Sequence, residues 1–341
     1  MSARYIFLGS TSFLLAASLA AGAEDAPAVS PAAAQAAVQV AVASPGGRVL
    51  DDATVERLIK LQEQDEVTVR SVLVPAAVED RKGRIIRGLA AKDFVLYENR
   101  VPQTIQSFWI EGEEPVSIAF LLDVSGSMRL SGKLENAKEA IRYFVTSLRP
   151  QDRFALVCFA DDQVAWVTEF TSDRGRFLER LAVQDGYGQT ALHDAVAATP
   201  SLVDARAQGR KAILLITDGV DNASRLTPEQ AVVAARKVEV PIYTVGITSI
   251  SNELRQKGQV GEHEYLMRRF SSETGGALFV VHDPDELKEA VARVDQELRY
   301  QYVLAYQPSS STWDGSFRSI QLQTRSSRYV VRTRKGYYAN P

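Results

Sequence analysis

The chain has 341 residues, 45% of them hydrophobic and 24% charged, and at ~150 residues per domain it is long enough for about two domains with hydrophobic cores. This composition excludes disordered, collagenous and fibrous proteins. With 39 Lys and Arg against 42 Asp and Glu, the net charge of -3 gives no overall field that would attract a nucleic acid or an anionic membrane. A single cysteine and three histidines exclude Cys-rich zinc modules, so we expect any bound metal to be held by oxygen.

Residues 1–23 have the pattern of a secretory signal peptide. A basic residue precedes an apolar stretch from Tyr5 to Leu19, and the small residues Ala21-Gly22-Ala23 follow it. An uncleaved membrane anchor would need about 18 or more continuous apolar residues, and Ser10 and Ser12 interrupt this stretch. We therefore expect cleavage after Ala23 and a secreted or periplasmic mature chain without a membrane span.

The next two segments are predicted to connect this leader to the folded domains. Residues 24–50 are rich in Ala, Pro and Val and contain few charges, which is typical of a flexible linker. From Asp51 to Gln64 the apolar spacing predicts a short amphipathic helix with Asp52 as its N-cap.

Alternating patterns on both flanks of the chain predict an antiparallel β module. The predicted strands before residue 115 are Val67–Val74, Gly83–Arg87, Phe94–Asn99 and Gln103–Phe108, and those after Leu298 are Tyr302–Tyr306, Ser319–Thr324 and Tyr329–Thr333. Neither set has enough strands for a stable sheet by itself. We therefore expect one module built from residues 51–114 and 300–341, with a second domain inserted between them.

Residues 115–299 are predicted to form an α/β domain with a doubly wound, mostly parallel sheet flanked by helices. Its buried strands are expected at Val116–Leu122, Phe154–Phe159, Ala212–Ile216, Ile242–Gly246 and Leu278–Val281. Helical patterns alternate with them at Lys133–Leu148, Arg174–Leu181, Ala191–Ala205, Pro228–Lys237, Glu264–Thr274 and Pro284–Leu298. Val164–Phe170 follows a short turn and is expected to be an antiparallel edge strand.

Oxygen-bearing side chains follow two of the buried strands and one loop. Asp123, Ser125 and Ser127 come directly after the first strand, Asp218 follows the third, and Thr190 follows a glycine-rich loop. Ligands in open α/β sheets bind beyond the carboxyl ends of the strands, where these side chains would meet. Taken singly, Thr190 could be an N-cap and Asp218 a turn residue, and Gly126 would allow a tight turn.

Together the five side chains predict a metal site. Two carboxylates and three hydroxyls, completed by water, suit the octahedral all-oxygen coordination of Mg²⁺. Mn²⁺ could substitute, and Ca²⁺ is a further alternative although it usually takes more carboxylates and carbonyls.

Over residues 115–298 these segments resemble the von Willebrand factor type A domain and its metal-ion-dependent adhesion site. All five motif positions are occupied, by Asp123, Ser125, Ser127, Thr190 and Asp218. The resemblance implies that these side chains hold one divalent cation, directly or through water. It also implies that a coordination position stays open for an acidic residue of a partner protein.

The flanks resemble secreted bacterial VWFA-related proteins of the acidobacterial type. The matching segments are Gly88–Glu98 before the domain, and Tyr302–Tyr306 with Arg334–Tyr338 after it. This resemblance supports a β module shared between the flanks, and it implies little about ligands.

Weaker candidates surround the predicted site. A structural role is favoured for His193, a turn for Asp221 and Asn222, a strand connection for Asp161 and Asp162, and a buried apolar role for Cys158. Thr248 to His263 is predicted to be a mobile loop available for partner contacts, and Tyr187 is a candidate contact residue.

The leading functional hypothesis is a binding module, not an enzyme, in which Mg²⁺ captures a carboxylate of a partner protein. A metal-assisted hydrolase is the first alternative, but no histidine or cysteine dyad and no phosphate-loop lysine motif is recognisable. The second alternative is a structural domain in which the metal only ties three loops together.

Overall fold

A computed structural model describes residues 70–112, 114–247 and 259–341 of the chain. The predicted signal peptide, linker and Asp51–Gln64 helix lie outside these residues and stay predictions. Within the described ranges, every helix is too short or too polar to cross a membrane.

Strands and helices alternate through the middle of the chain, with further strands on both sides. The strands are β1 (Val72–Asp80), β2 (Phe94–Glu98), β3 (Val101–Gln103), β4 (Ile105–Glu111), β5 (Val116–Asp123), β6 (Arg153–Ala160), β7 (Gln163–Thr171), β8 (Arg210–Thr217), β9 (Ile242–Ile247), β10 (Leu278–Val281), β11 (Gln301–Tyr306), β12 (Phe317–Thr324), β13 (Tyr329–Arg332) and β14 (Gly336–Tyr338). The α-helices are α1 (Gly126–Arg129), α2 (Lys133–Ser147), α3 (Arg174–Ala182), α4 (Leu192–Arg206), α5 (Pro228–Arg236), α6 (Gln259–Thr274) and α7 (Pro284–Arg299).

The central sheet has six strands in the order β10-β9-β8-β5-β6-β7. All neighbours are parallel except β7, which pairs antiparallel with β6 at one edge. Every residue of β5 is buried, because helices cover both faces of a parallel sheet. One face packs against α2, α3 and α7, and the other against α4, α5 and α6. The predicted doubly wound α/β fold is confirmed.

The β module consists of two antiparallel four-stranded sheets, in the orders β13-β1-β11-β4 and β14-β12-β2-β3. Each sheet combines strands from before and after the α/β domain: β1 pairs with β11 and β13, and β2 pairs with β12. The prediction of one module formed from both flanks is therefore confirmed. Its core includes a buried carboxylate, Glu98, which accepts hydrogen bonds from the hydroxyls of Tyr306 (2.6 Å) and Tyr337 (2.8 Å).

Two local predictions are wrong. Residues 83–87 do not form a strand. They follow the turn after β1 and form only an isolated bridge, between Ile85 and Glu79. Helix α6 begins at Gln259, so the end of the predicted Thr248–His263 loop is helical, and residues 248–258 lie outside the described part. Gly261 made the segment resemble a loop in the sequence, but glycine is tolerated in the first turn of a helix. Glu262, in the same turn, interacts favourably with the helix dipole.

Candidate functional site

Asp123 is the last residue of the central strand β5 and is completely buried. Its Oδ1 accepts a hydrogen bond from the amide of Ser125 (2.9 Å), and its Oδ2 accepts one from the hydroxyl of Thr217 (2.6 Å). Burial raises the pKa of Asp123 to about 6, and the neighbouring Asp218 carboxylate adds to this rise, while the hydrogen bonds oppose it. In the described part of the chain, no Lys or Arg forms an ion pair with Asp123.

The two serines after Asp123 lie side by side. Ser125 is buried and Ser127 half-buried, and their Oγ atoms are 3.1 Å apart. Ser125 is the N-cap of the short helix α1, with extended backbone, so both hydroxyls project from the start of that helix. Gly126 allows a close approach of two loops: its amide donates to the carbonyl of Gly188 (3.0 Å), and a Cβ would lie 3.1 Å from that oxygen, which is tighter than ordinary contact.

Thr190 is buried and lies in the loop before α4. The N-cap of α4 is Ala191, so Thr190 does not have the capping role that the sequence left open. Its amide donates to Oδ1 of Asn222 (2.8 Å), and its carbonyl accepts from the amides of Asn222 and Ala223 (both 3.0 Å). These bonds join the Thr190 loop to the loop after Asp218.

Hydrogen bonds connect all three segments that carry the predicted ligands. The amide of Tyr187 donates to the carbonyl of Val124 (2.8 Å), which joins the Thr190 loop to the serine segment. Thr217, next to Asp218, donates to Asp123 and so joins the ends of β5 and β8. The structure therefore brings the three segments together at the carboxyl edge of the central sheet, with four of the five side chains buried.

Lys133 is a residue of this site that the sequence analysis missed. Its Nζ lies 2.9 Å from Oδ2 of Asp218, and the two side chains are only 12% and 3% exposed. Lys133 is the first residue of α2, where a positive charge is unfavourable to the helix dipole. This unfavourable contribution is small, so the local sequence does not indicate the pairing of Lys133 with Asp218.

The weaker candidates have structural contacts. The Asp221 carboxylate accepts from the hydroxyl of Ser224 (2.5 Å) and the amide of His193 (3.1 Å), so it shapes its own loop. The ring of His193 is buried, with Nδ1 3.2 Å from the carbonyl oxygen of Leu226. Asp161 accepts from the amide of Gln189 (2.7 Å) and thereby supports the Thr190 loop.

A sequence model of the family described as von Willebrand factor type A domain matches residues 117–293, which is more than half of the chain. The chain belongs to the von Willebrand factor type A (VWA) domain family. The matched residues begin within β5 and end within α7, so they contain all five predicted ligands.

Relatives of this VWA protein share about half of its length. An uncharacterized protein of Borreliella burgdorferi is 29% identical over 194 residues, which are 51% of this chain and 56% of that protein. Inter-alpha-trypsin inhibitor heavy chain H3 of Bos taurus is 25% identical over 181 residues, or 48% of this chain and 20% of that protein. The chain thus spans 56% or less of the length of these two relatives.

Solved structures of low sequence identity also match part of this chain. The structure titled von Willebrand factor type A from Catenulispora acidiphila is 15% identical with a TM-score of 0.46, covering 72% of this chain and 74% of that one. The vWF domain of the type V pili tip protein Mfa5 from Porphyromonas gingivalis is 13% identical with a TM-score of 0.44, covering 54% and 95%.

Proposed function

We propose that this VWA protein is an extracytoplasmic protein-binding module in which a divalent cation captures an acidic residue of a partner protein. Asp123, Ser125, Ser127, Thr190 and Asp218 would hold the cation. The observation that carries the proposal is the buried Asp123 carboxylate, which has hydroxyl and amide neighbours but no cationic partner in the described part of the chain.

The donor set of this site fits Mg²⁺. An unpaired buried carboxylate is costly, and a cation beside it would offset that cost. The second carboxylate, Asp218, belongs to the adjacent strand end, and the Ser125 and Ser127 hydroxyls supply neutral hard oxygens. Two carboxylates match the charge of a divalent ion, and at Asp218 the cation would displace the Lys133 ammonium, which lies 2.9 Å from Oδ2. Mn²⁺ or Ca²⁺ could occupy the same oxygens. When bound, the metal supplies a coordination position for a carboxylate oxygen.

The rim of the site supports a protein partner over a small acid. Each of the three loops exposes one large apolar side chain: Leu130 is 64% exposed, Tyr187 50% and Val220 38%. A single carboxylate on a metal gives modest affinity, and surrounding apolar contact adds the rest. Arg129, also exposed at the rim, pairs loosely with Asp185 (3.7 Å) and can turn toward an acidic partner.

The side chains near the site favour binding over hydrolysis. The His193 ring is buried against a backbone carbonyl, so it is not placed as a general base for an external substrate. Cys158 is buried within β6, and burial raises the pKa of its thiol to about 12, which keeps it unreactive.

The proposal is tested with the purified full chain by isothermal titration with Mg²⁺ and by capture of partners from the extracytoplasmic fraction, in Mg²⁺ or EDTA. Asp123→Ala is expected to lower metal affinity by more than about 100-fold, because even residues that only support metal ligands contribute ~10–100-fold. Partner capture should fall with it.

Thr190→Ala removes one neutral donor that water can replace, so Mg²⁺ binding should survive better than partner capture. Asp162→Ala is the matched control for Asp123→Ala, because it also removes a carboxylate, but an exposed one in the turn between β6 and β7. Capture of the same partner by Asp123→Ala in EDTA would refute metal-dependent recognition. Metal binding without any metal-dependent capture would favour the purely structural alternative.

A further inference from the structure

Two basic turns meet at one end of a β-module sheet. Strand β1 ends at Asp80, and its antiparallel register pairs Asp80 with Tyr329, the first residue of β13. The turn after β1 (residues 80–84) therefore lies beside the loop before β13 (residues 325–328). We refer to these two segments as the basic turn pair.

The basic turn pair encloses a shallow, open depression with a volume of about 380 Å³. The residues that line it are Asp80, Arg81, Lys82, Arg84, Ser327 and Arg328. Four of these side chains are cationic and one is acidic. The chain as a whole carries a net charge of -3, so the local charge here is opposite in sign to the net charge of the chain.

The one carboxylate of the depression is already engaged. Asp80 accepts hydrogen bonds from the amides of Lys82 (2.8 Å) and Arg84 (3.0 Å), and it forms an ion pair with the Arg84 guanidinium (2.7 Å). The amide of Arg84 contributes most to holding the pKa of Asp80 below its usual value. Arg81, Lys82 and Arg328 are exposed, and among the described residues none of them has an ion-pair partner.

We propose that the basic turn pair binds the phosphate groups of anionic phospholipids at a membrane surface. Small-molecule sites bury most of their ligand, whereas this depression is open and suits a phosphate presented by a larger surface. Val330, two residues after Arg328, is an apolar side chain that is 44% exposed. Each Lys or Arg close to an anionic bilayer contributes ~1 kcal/mol of attraction.

The overall negative charge of the chain does not oppose this contact. At physiological ionic strength the screening length is ~8 Å, so distant carboxylates are largely screened while cations touching the headgroups are not. The proposal is also independent of the metal site, because none of the five predicted metal ligands belongs to the basic turn pair. Addition of EDTA should therefore leave membrane binding unchanged.

The test measures binding of the chain without its predicted signal peptide to vesicles of equimolar phosphatidylcholine and phosphatidylglycerol, and to phosphatidylcholine alone, by co-sedimentation at low ionic strength. The triple variant Arg81→Gln, Lys82→Gln, Arg328→Gln is expected to bind the anionic vesicles about a hundredfold more weakly than the wild type. The control variant Arg176→Gln, Arg180→Gln, Lys237→Gln removes the same charge from exposed positions elsewhere and should bind as the wild type does.

All compared chains begin at Glu24, after the predicted signal peptide, so its apolar segment does not contribute to vesicle binding. Thermal unfolding checks that the variants are folded, and the single variants Arg81→Gln and Arg328→Gln should each give a smaller loss. Equal losses in both triple variants, or none in the first, would overturn the proposal. So would displacement by inorganic phosphate but not by sodium chloride of equal ionic strength, which would indicate a site for soluble phosphate.

Discussion

Buried aspartates at the two edges of the central sheet have opposite electrostatic surroundings. Asp123, at the carboxyl edge, is 0% exposed and has hydroxyl and amide partners. Asp152, just before β6 at the amino edge, is 1% exposed and accepts two hydrogen bonds from the Arg299 guanidinium (3.0 and 2.6 Å). It also accepts from the amides of Val116 (3.0 Å) and Arg149 (2.8 Å).

The pKa values of the two carboxyls reflect this difference. Burial raises the pKa of Asp123 to about 6. Burial also acts to raise the pKa of Asp152, but the bonds from Arg299 and the two amides more than offset it, so that pKa is lowered. The amino edge thus contains a carboxylate that stabilises the fold, and the carboxyl edge keeps one whose charge is uncompensated, which suits a cation.

Replacing Asp152 should have the largest effect on stability. Asp152→Asn removes the buried carboxylate of the pair and leaves the Arg299 guanidinium with Asp295 (2.9 Å) as its remaining acidic partner. Breaking a buried pair costs about 3–5 kcal/mol in the free energy of unfolding, and Asp295 should keep the loss near the lower end of that range. Asp123→Asn, without metal, removes a buried charge and should cost less than about 1 kcal/mol or stabilise the protein. Urea unfolding of both variants measures the difference, and equal losses would contradict the contrast between the edges.

The contribution of Asp152 should depend on pH in one direction. Because the pKa of Asp152 in the folded protein lies below its ordinary value, folding favours the ionised form. The stabilisation is fully present above the unfolded pKa and is lost as the pH falls through the lower folded pKa. The gap in unfolding free energy between wild type and Asp152→Asn should therefore be full near pH 7 and smaller near pH 3. A gap that stays constant would show that Asp152 acts through packing rather than charge.

The two edges also differ in how far the sequence could predict them. Asp123 and Asp218 each follow a continuous apolar run, so the strand pattern alone placed them at strand ends. The Asp152–Arg299 pair joins residues 147 positions apart, and nothing local in either segment indicates the other. The alternation of apolar and polar residues also predicted a strand at residues 83–87. In the structure these residues follow the turn after β1 and form only a single bridge.

Lys133 shows the same limit within the predicted site. By periodicity it belongs to an ordinary solvated start of α2, and only the fold brings its ammonium to Asp218. Thr217 likewise resembles an ordinary strand end until its hydroxyl is seen to donate to Asp123. Strand ends are thus predictable from local pattern, whereas contacts between loops that are far apart in the sequence are not.

The smallest expected effect concerns this lysine. The Lys133 ammonium already neutralises Asp218, so a divalent cation at the same carboxylate meets both competition and repulsion. Lys133→Met keeps a side chain of similar length and removes its charge, and we expect it to raise Mg²⁺ affinity by about tenfold. In the variant without metal, Asp218 has no cationic partner, which destabilises the metal-free protein. Added Mg²⁺ should therefore raise the melting temperature of Lys133→Met more than that of the wild type.

Isothermal titration and thermal unfolding in Mg²⁺ or EDTA measure both effects. Lys138→Met is the matched control: Lys138 pairs with Glu135 (2.8 Å) on the same helix, and its loss should not change metal affinity. Lys133→Arg keeps the charge and should keep the wild-type affinity. Weaker Mg²⁺ binding by Lys133→Met would mean that the lysine orients Asp218 for the metal instead of competing with it. The carboxyl edge would then resemble the amino edge, with its second carboxylate depending on a fixed basic partner.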